Sequence, residues 1–141
     1  MFIIVPRHDL KLKKEYELNW NDLQIGIEVP VRLSFVVMDK IPASLKSPAD
    51  VALLDLDKLQ FPLRLRKWKR GDRFIPFGMV KPKKLSDFFT DLKFSKIEKE
   101  NQWLLCSGDD IVWVIGKRMD DRYKVEPGFT RILKIEYLPI S

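Results

Sequence analysis

The chain has 141 residues and a hydrophobic content of 45%, which is enough for one packed domain. Its net charge is +6, and it holds one cysteine, which excludes an internal disulfide and favours a reducing compartment. No stretch approaches the roughly 18 apolar residues that cross a bilayer, and the apolar run at 2–5 is too short for a signal peptide. We therefore expect a cytoplasmic protein with no membrane contact.

The positive charge is concentrated in the middle of the chain. Residues 61–100 hold twelve basic and five acidic residues, whereas 1–60 hold eight and nine and 101–141 hold six of each. Within 64–84, nine basic residues accompany a single acid, Asp72. So local an excess indicates an anionic partner, most commonly nucleic acid, although a solvated face or anionic lipid would explain the same pattern.

The first sixty residues are typical of β structure. Strands are predicted at 2–5, 15–20, 27–38 and 51–56. In the third strand, apolar and polar residues alternate from Ile27 to Phe35, and Pro30 favours an edge position or a bulge. We expect residues 1–60 to form a β-rich portion that packs on the next part of the chain.

The basic middle segment begins with a strand and continues as a stiff loop. In 61–66, apolar residues alternate with Arg64 and Arg66, which we interpret as a solvated strand face. Residues 69–72 form a turn around Gly71. Prolines and glycines in 75–84 forbid a regular helix and stiffen the loop, so less entropy is lost when it binds.

A helix is predicted over 83–93. Its apolar stripe at i, i+3, i+4 and i+7 comprises Leu85, Phe88, Phe89 and Leu92. Lys83 and Lys84 precede or open this helix, where positive charge is mildly unfavourable. One explanation is that a phosphate binds between these two lysines. The alternative is that both side chains simply point into water.

The remaining elements are short. Ser95 and Glu98 match a capping box, which predicts a helix that ends near Asn101. Two strands within 103–118 flank the turn SGDD, and a last strand follows at 131–137. The expected class is α+β, dominated by β structure, with two short helices.

No catalytic or metal site is evident in the sequence. The single histidine, His8, is interpreted as an ordinary loop residue, and neither a GxxxxGK[ST] nor a GxGxxG motif occurs. The acid pairs 109–110 and 120–121 are interpreted as turn residues, and Cys106 as a small buried or half-buried residue that is not a nucleophile. The sequence thus indicates a binding surface and no active site.

An ordered set of residues in 61–137 resembles the C-terminal domain of the bacterial tRNA(Ile)-lysidine synthetase family. The set comprises Leu65-Arg66, Trp68, Gly71-Asp72-Arg73-Phe74, Pro76, Gly78-Met79, Lys83-Lys84-Leu85, Phe88-Phe89, Asp91, Leu104-Leu105, 111–118 and Asp121-Arg122-Tyr123. One departure is that Lys99-Glu100 and Trp103-Leu104 stand where the family often has Arg-Asp and Pro-Leu. The resemblance implies a β-sandwich with added helices, similar to a domain of the phenylalanyl-tRNA synthetase β chain.

The resemblance also implies a function. The whole enzyme is an ATP-dependent ligase, working with magnesium, that joins lysine to the wobble cytidine of CAU-anticodon tRNA(Ile) to make lysidine. Its catalytic PP-loop domain carries a Ser-Gly-Gly-x-Asp-Ser motif, which is absent from these 141 residues. The chain is therefore expected to need no cofactor and to be inactive alone. Its expected partners are the tRNA acceptor stem and the enzyme's own N-terminal catalytic domain; a homodimer is left open.

The basic residues are the candidate RNA contacts, since A-form RNA presents phosphates and 2′-hydroxyls and no readable major groove. The tRNA-binding candidates are Arg70, Arg73, Lys81, Lys83 and Lys84, flanked by Lys117, Arg118 and Arg122. Phe77 is the best candidate for an exposed aromatic, whereas Trp68, Phe74, Phe88, Phe89 and Trp113 are expected in the core. We expect 61–141 to be the tRNA-binding domain, forming one globular unit with 1–60.

Two other classes of function stay open. The basic face could dock on the catalytic domain without touching RNA. An independent enzyme is the third class, and the missing nucleophile, base and nucleotide motifs count against it.

Overall fold

The computed structural model describes residues 15–42 and 48–139. The strand expected at 2–5 and His8 lie outside these ranges. In chain order the strands are β1 (Glu15–Leu18), β2 (Leu33–Met38), β3 (Val51–Asp55), β4 (Leu63–Lys67), β5 (Arg73–Phe74), β6 (Lys83–Lys84), β7 (Trp103–Ser107), β8 (Asp110–Val114), β9 (Arg118–Met119) and β10 (Ile132–Tyr137). The helices are α1 (Leu85–Asp91) and α2 (Lys96–Glu100), and short 3₁₀ turns occupy Trp20–Leu23, Leu56–Lys58 and Asp121–Tyr123.

The strands form three antiparallel sheets. The central sheet has the order β1-β4-β7-β8-β9, the outer sheet has the order β2-β10-β3, and β5 and β6 form a separate ribbon. Strands from 1–60 pair with strands from 61–141, as β1 does with β4 and β2 with β10. The division of the chain at residue 60 stays a prediction.

The central sheet is buried on both faces at β7 and β8, whereas Glu15 of β1 and Arg64 of β4 are exposed. On one face, Leu63, Leu65 and Leu105 pack against Leu133 and Ile135 of the outer sheet, which makes the sandwich core. Opposite faces of a strand alternate along the sequence. Leu104 therefore faces the other way from Leu105, into the second core.

The second core lies between the central sheet and a layer made of α1 and the ribbon. Phe74, Phe88 and Phe89 pack there against Leu104 and Val114. The rings of Phe74 and Phe88 meet edge to face at 5.0 Å, a favourable aromatic geometry. The ribbon is thus anchored to the central sheet through its buried aromatic residue.

The expected class, β-dominated α+β with two short helices, is confirmed. The capping box is also confirmed: Ser95 Oγ accepts from the Glu98 N–H at 3.1 Å, and Glu98 Oε1 accepts from the Ser95 N–H at 3.0 Å. Phe74, Phe88, Phe89 and Trp113 are buried as expected, and Trp68 is half-buried against Phe89.

Two predicted elements are shorter than expected. The N–H groups of Ile27 and Leu33 each donate to the other's carbonyl, at 3.0 and 2.9 Å, so the chain reverses between them and β2 begins only at Leu33. Helix α1 ends at Asp91, because Lys93 adopts a left-handed φ of 58° that ends the helical path. Leu92, predicted in the buried stripe, is consequently 41% exposed.

Within the described ranges, no helix is both long and apolar enough to span a membrane.

Candidate nucleic-acid interface

The ribbon places two cations side by side. Arg73 lies directly opposite Lys84 in the register of β5 and β6, and Phe74 lies opposite Lys83. Because Phe74 is buried and side chains alternate, Arg73 and Lys84 share the outward face, where both are exposed. Like charges directly opposite each other destabilise a strand pair. Within the described ranges, neither side chain has an acidic partner, so a bound anion would relieve the repulsion.

A shallow depression of about 490 Å³ lies beside the ribbon. It is lined by Arg73, Met79, Lys81, Pro82, Lys83, Lys84, Asp87, Thr90 and Asp91. Lys83 forms an ion pair with Asp91. The structure therefore brings four of the predicted contact residues to one concave surface, on which Arg73, Lys81 and Lys84 have no ion-pair partner among the described residues. We call this surface the basic depression.

The turn that carries Arg70 is held by a partly buried ion pair between Arg66 and Asp72. Arg66 donates from Nη1 to Asp72 Oδ2 at 2.8 Å and from Nη2 to Oδ1 at 3.1 Å, and the Lys69 N–H donates to Asp72 Oδ2 at 2.7 Å. This hydrogen bonding to Asp72 raises the pKa of the Arg66 guanidinium. The expectation that Arg66 belongs to a solvated face is wrong, because its side chain is only 19% exposed. Arg70 itself is exposed at the turn.

The Asp120 carboxylate holds the start of the loop 75–79 by a hydrogen bond from Ile75. Its side chain is fully buried and accepts from the Ile75 N–H at 2.9 Å, the Arg122 N–H at 2.8 Å, and Arg122 Nε and Nη2, each at 3.0 Å. Arg122 also donates from Nη1 to Asp110 at 3.2 Å. The side-chain bond to Asp120 raises the pKa of the Arg122 guanidinium. Asp120 is therefore a structural acceptor for the loop as well as a cap of the following 3₁₀ turn.

Hydrogen bonds with Asp121 and Arg118 also hold the backbone of this loop. Asp121 Oδ1 accepts from the Gly78 N–H at 3.0 Å, and the Asp121 N–H donates to the Ile75 carbonyl at 2.7 Å. Arg118 donates to the Phe77 carbonyl, from Nη2 at 2.5 Å and from Nε at 3.2 Å. The bond from Gly78 is the main reason why the pKa of the Asp121 carboxyl is lowered. The loop between the two halves of the ribbon is accordingly rigid.

The three flanking candidates have partners inside the domain. The Lys117 ammonium lies 5.3 Å from the centre of the Phe94 ring, Arg118 holds Phe77, and Arg122 holds Asp120. All three remain exposed on the surface next to the loop. Whether they contact RNA stays a prediction.

The apolar residues of the loop differ from expectation. Phe77, expected to be exposed, is half-buried and packs against the sandwich core. The exposed apolar side chains are its neighbours Met79 and Val80, which are 42% and 90% exposed. A run of apolar residues between two loop prolines is the sequence signal that could have identified them.

Metal-ligating groups and the cysteine thiol can be assessed among the described residues. No group of three metal-ligating side chains occurs within 15–42 and 48–139. Cys106 is buried, and burial raises the pKa of its thiol to about 11, so it is protonated and unreactive at neutral pH.

These features define a class of protein: a β-sandwich with a helical layer that presents a rigid basic surface. The model of the family described as the TilS substrate C-terminal domain matches residues 63–136. The chain belongs to this family.

Its relatives are longer proteins. A protein of Parabacteroides distasonis named tRNA(Ile)-lysidine synthase is 50% identical over 131 residues, covering 89% of this chain and 29% of the relative. A protein of Clostridium acetobutylicum with the same name is 31% identical over 128 residues, covering 88% and 27%. The chain thus spans less than a third of the length of these relatives.

The fold has a solved counterpart. A structure described as a crystal structure of the TilS C-terminal domain superposes with a TM-score of 0.69 at 21% identity, covering 89% of this chain and 92% of that one. The predicted resemblance to the lysidine synthetase domain is therefore confirmed for both family and fold.

Proposed function

We propose that this chain is the tRNA-binding part of a tRNA(Ile)-lysidine synthase and that it holds the acceptor stem through the basic depression. The whole enzyme would be the cytoplasmic, ATP-dependent ligase that uses magnesium and joins lysine to the wobble cytidine of CAU-anticodon tRNA(Ile). The name shared by the relatives supports the enzyme.

The observation that carries the RNA contact is the register pair of Arg73 and Lys84. Two unpaired cations held face to face on a rigid ribbon are unfavourable for the domain alone and favourable beside a phosphate. Lys81 faces the same depression, and Arg70 extends the charge along the neighbouring turn. These four residues are the proposed main contacts.

The remaining candidates are proposed as secondary contacts. Lys83 forms an ion pair with Asp91. The other three already contact groups within the domain: Lys117, Arg118 and Arg122. Neutralising any one of them should change the local structure as well as the charge, so their variants report less directly on RNA binding.

The test is the salt dependence of tRNA binding by an Arg73→Ala, Lys84→Ala double variant. Each lost phosphate contact makes the slope of log affinity against log salt shallower by about one, so the double variant should be shallower by about two. We expect at least a tenfold loss of affinity at low salt, because each contact is a charged hydrogen bond. Filter binding at several salt concentrations measures both quantities.

The matched control is Lys40→Ala with Lys134→Ala. This variant removes the same charge from the β2 end and β10 of the outer sheet, on the far side of the central sheet from the ribbon. It should keep the wild-type slope. An unchanged slope in the ribbon variant, with the fold intact by circular dichroism, would refute the proposed contact residues.

The docking alternative predicts a different result. If the ribbon variant binds tRNA normally and instead loses affinity for the separately expressed catalytic portion, the basic depression is a protein-docking surface.

A further inference from the structure

A second concavity borders the loop 75–79 at Phe77 and Gly78. It has a volume of about 510 Å³, within the range of small-molecule sites. Its lining comprises Pro48, Ala49, Val51, Phe77, Gly78, Trp113, Lys117, Arg118 and Met119. We call it the loop cleft.

The chemistry of the loop cleft is apolar with a cationic margin. The half-buried side chains of Val51 and Phe77 supply apolar and aromatic surface, with the buried Trp113 and Met119 beneath them. Arg118 is held in place by the Phe77 carbonyl through Nε and Nη2, which leaves Nη1 without a partner among the described residues. The described lining contains no acidic side chain. A ligand with a flat apolar part and a negative group matches this arrangement.

The loop cleft is next to the basic depression. Gly78 lines the cleft and Met79, the next residue, lines the depression. Consecutive Cα atoms are about 3.8 Å apart, so a strand that leaves the depression enters the cleft after crossing only this loop. Met79 and the next residue, Val80, are both exposed apolar side chains at the depression end of this loop.

We propose that the loop cleft receives an unpaired nucleotide that extends from the end of the RNA helix held at the basic depression. The base lies against the apolar floor near Phe77, and the phosphate lies at Arg118. Bases pack on aromatic and apolar side chains in this way where proteins bind single-stranded nucleic acid beside positive charge. The inference rests on the proposed RNA-binding function and adds a site that reads the end of the helix.

The experiment compares RNA hairpins with one stem sequence: a blunt hairpin, one with a two-nucleotide 3′ extension and one with a two-nucleotide 5′ extension. Binding is followed by fluorescence anisotropy at fixed salt. The wild-type chain should bind one extended hairpin about tenfold more tightly than the blunt one, since a stacked base contributes this order of affinity. The preferred extension identifies which strand end enters the cleft. An abasic version of that extension should lose the preference.

The cleft-filling variant is Ala49→Trp, at an exposed position on the cleft wall. It should bind all three hairpins with the wild-type affinity for the blunt one. The matched control is Gln60→Trp, beside Gly108 at the opposite end of the β7–β8 hairpin. It should keep the preference, and circular dichroism checks that both variants fold.

The outcomes separate the two proposals. A blunt hairpin bound through Arg73 and Lys84, with no preference for an extension, overturns the cleft and leaves the basic depression in place. A preference that survives Ala49→Trp, or that an abasic extension retains, also overturns the cleft. If no hairpin binds to the wild-type chain, the proposed function fails and the cleft site fails with it.

Discussion

At the scale of single residues, acidic side chains matter more for the basic surface than its charge suggests. Asp72 holds the turn before the ribbon, and Asp120 and Asp121 hold the loop within it. Each carboxylate accepts backbone N–H groups that would otherwise be unpaired, and satisfied acceptors of this kind fix a local conformation. These three carboxylates therefore fix the backbone conformation of the segments that carry the basic side chains.

The substitution Asp120→Asn tests this structural role of the acidic side chains. An amide has one acceptor oxygen where the carboxylate has two, so its NH₂ group would face two N–H donors, either those of Ile75 and Arg122 Nη2 or the Arg122 N–H and Nε. The Arg122 guanidinium would also lose one of its two acidic partners and keep only Asp110. We expect a loss of about 2–4 kcal/mol in the free energy of unfolding, measured by urea denaturation.

Asp109→Asn is the control, because Asp109 lies exposed in the turn between β7 and β8. It should change the free energy of unfolding by less than about 0.5 kcal/mol. Equal effects of the two substitutions would contradict the structural role of Asp120.

These residue roles were only partly predictable. The charge of 64–84 is visible in the sequence, but the partners of Arg66 and Arg122 are not. The pairing of Asp120 with the Ile75 N–H joins positions 45 apart, and only the fold brings them together. By contrast, the bond between Ser95 and Glu98 is local, so its sequence pattern was sufficient.

At the scale of elements, the loop 75–79 is the most constrained irregular segment near the ribbon. Its proline and glycine predicted a stiff loop. Hydrogen bonds to residues 118–121 restrain its backbone further. The ends of elements were harder to predict where the hydrophobic periodicity continued beyond the end of the strand or helix. The alternation around Val29 continues through a reversal of the chain, and Leu92 continues the helical period after the helix has ended.

The loop should loosen in acid. The Gly78 N–H stabilises the charged Asp121 carboxylate, so the folded pKa lies below the ordinary value of about 3.9. The contribution to stability is therefore present above the ordinary value and is lost as the pH falls through the lowered pKa. In an NMR titration from pH 6 to pH 2, the Gly78 amide shift should move with a midpoint below about 3.9.

Asp121→Asn should abolish that titration of the Gly78 amide. The amide of Gly128, which has no carboxylate acceptor among the described residues, serves as the internal reference. A midpoint at or above the ordinary carboxyl value would show that the bond does not stabilise the charged form.

At the scale of the whole molecule, three layers share one sheet. Every residue of β7 is buried, because the outer sheet covers one face and α1 with the ribbon covers the other. The sequence predicted a strand there, yet periodicity could not assign Leu104 and Leu105 to different cores. That assignment depends on which layer covers which face.

The shared sheet should make the two cores unfold together. Leu104→Ala opens a cavity in the second core and Leu105→Ala opens one in the sandwich core, at positions that are both fully buried. Each should cost about 2–5 kcal/mol and leave a single transition in urea, followed by both near-UV and far-UV circular dichroism. A separate early transition in the Leu104→Ala variant would mean that the ribbon layer unfolds independently.

The buried state of Cys106 has a practical consequence for experiments on this surface. The chain has one cysteine, and its thiol is both inaccessible and, with a pKa of about 11, almost entirely protonated at pH 7.5. A cysteine introduced by Ser86→Cys on the exposed side of α1 would then be the single reactive thiol of the folded chain. A fluorophore attached there would sit beside the ribbon without the removal of Cys106, whose side chain fills part of the second core.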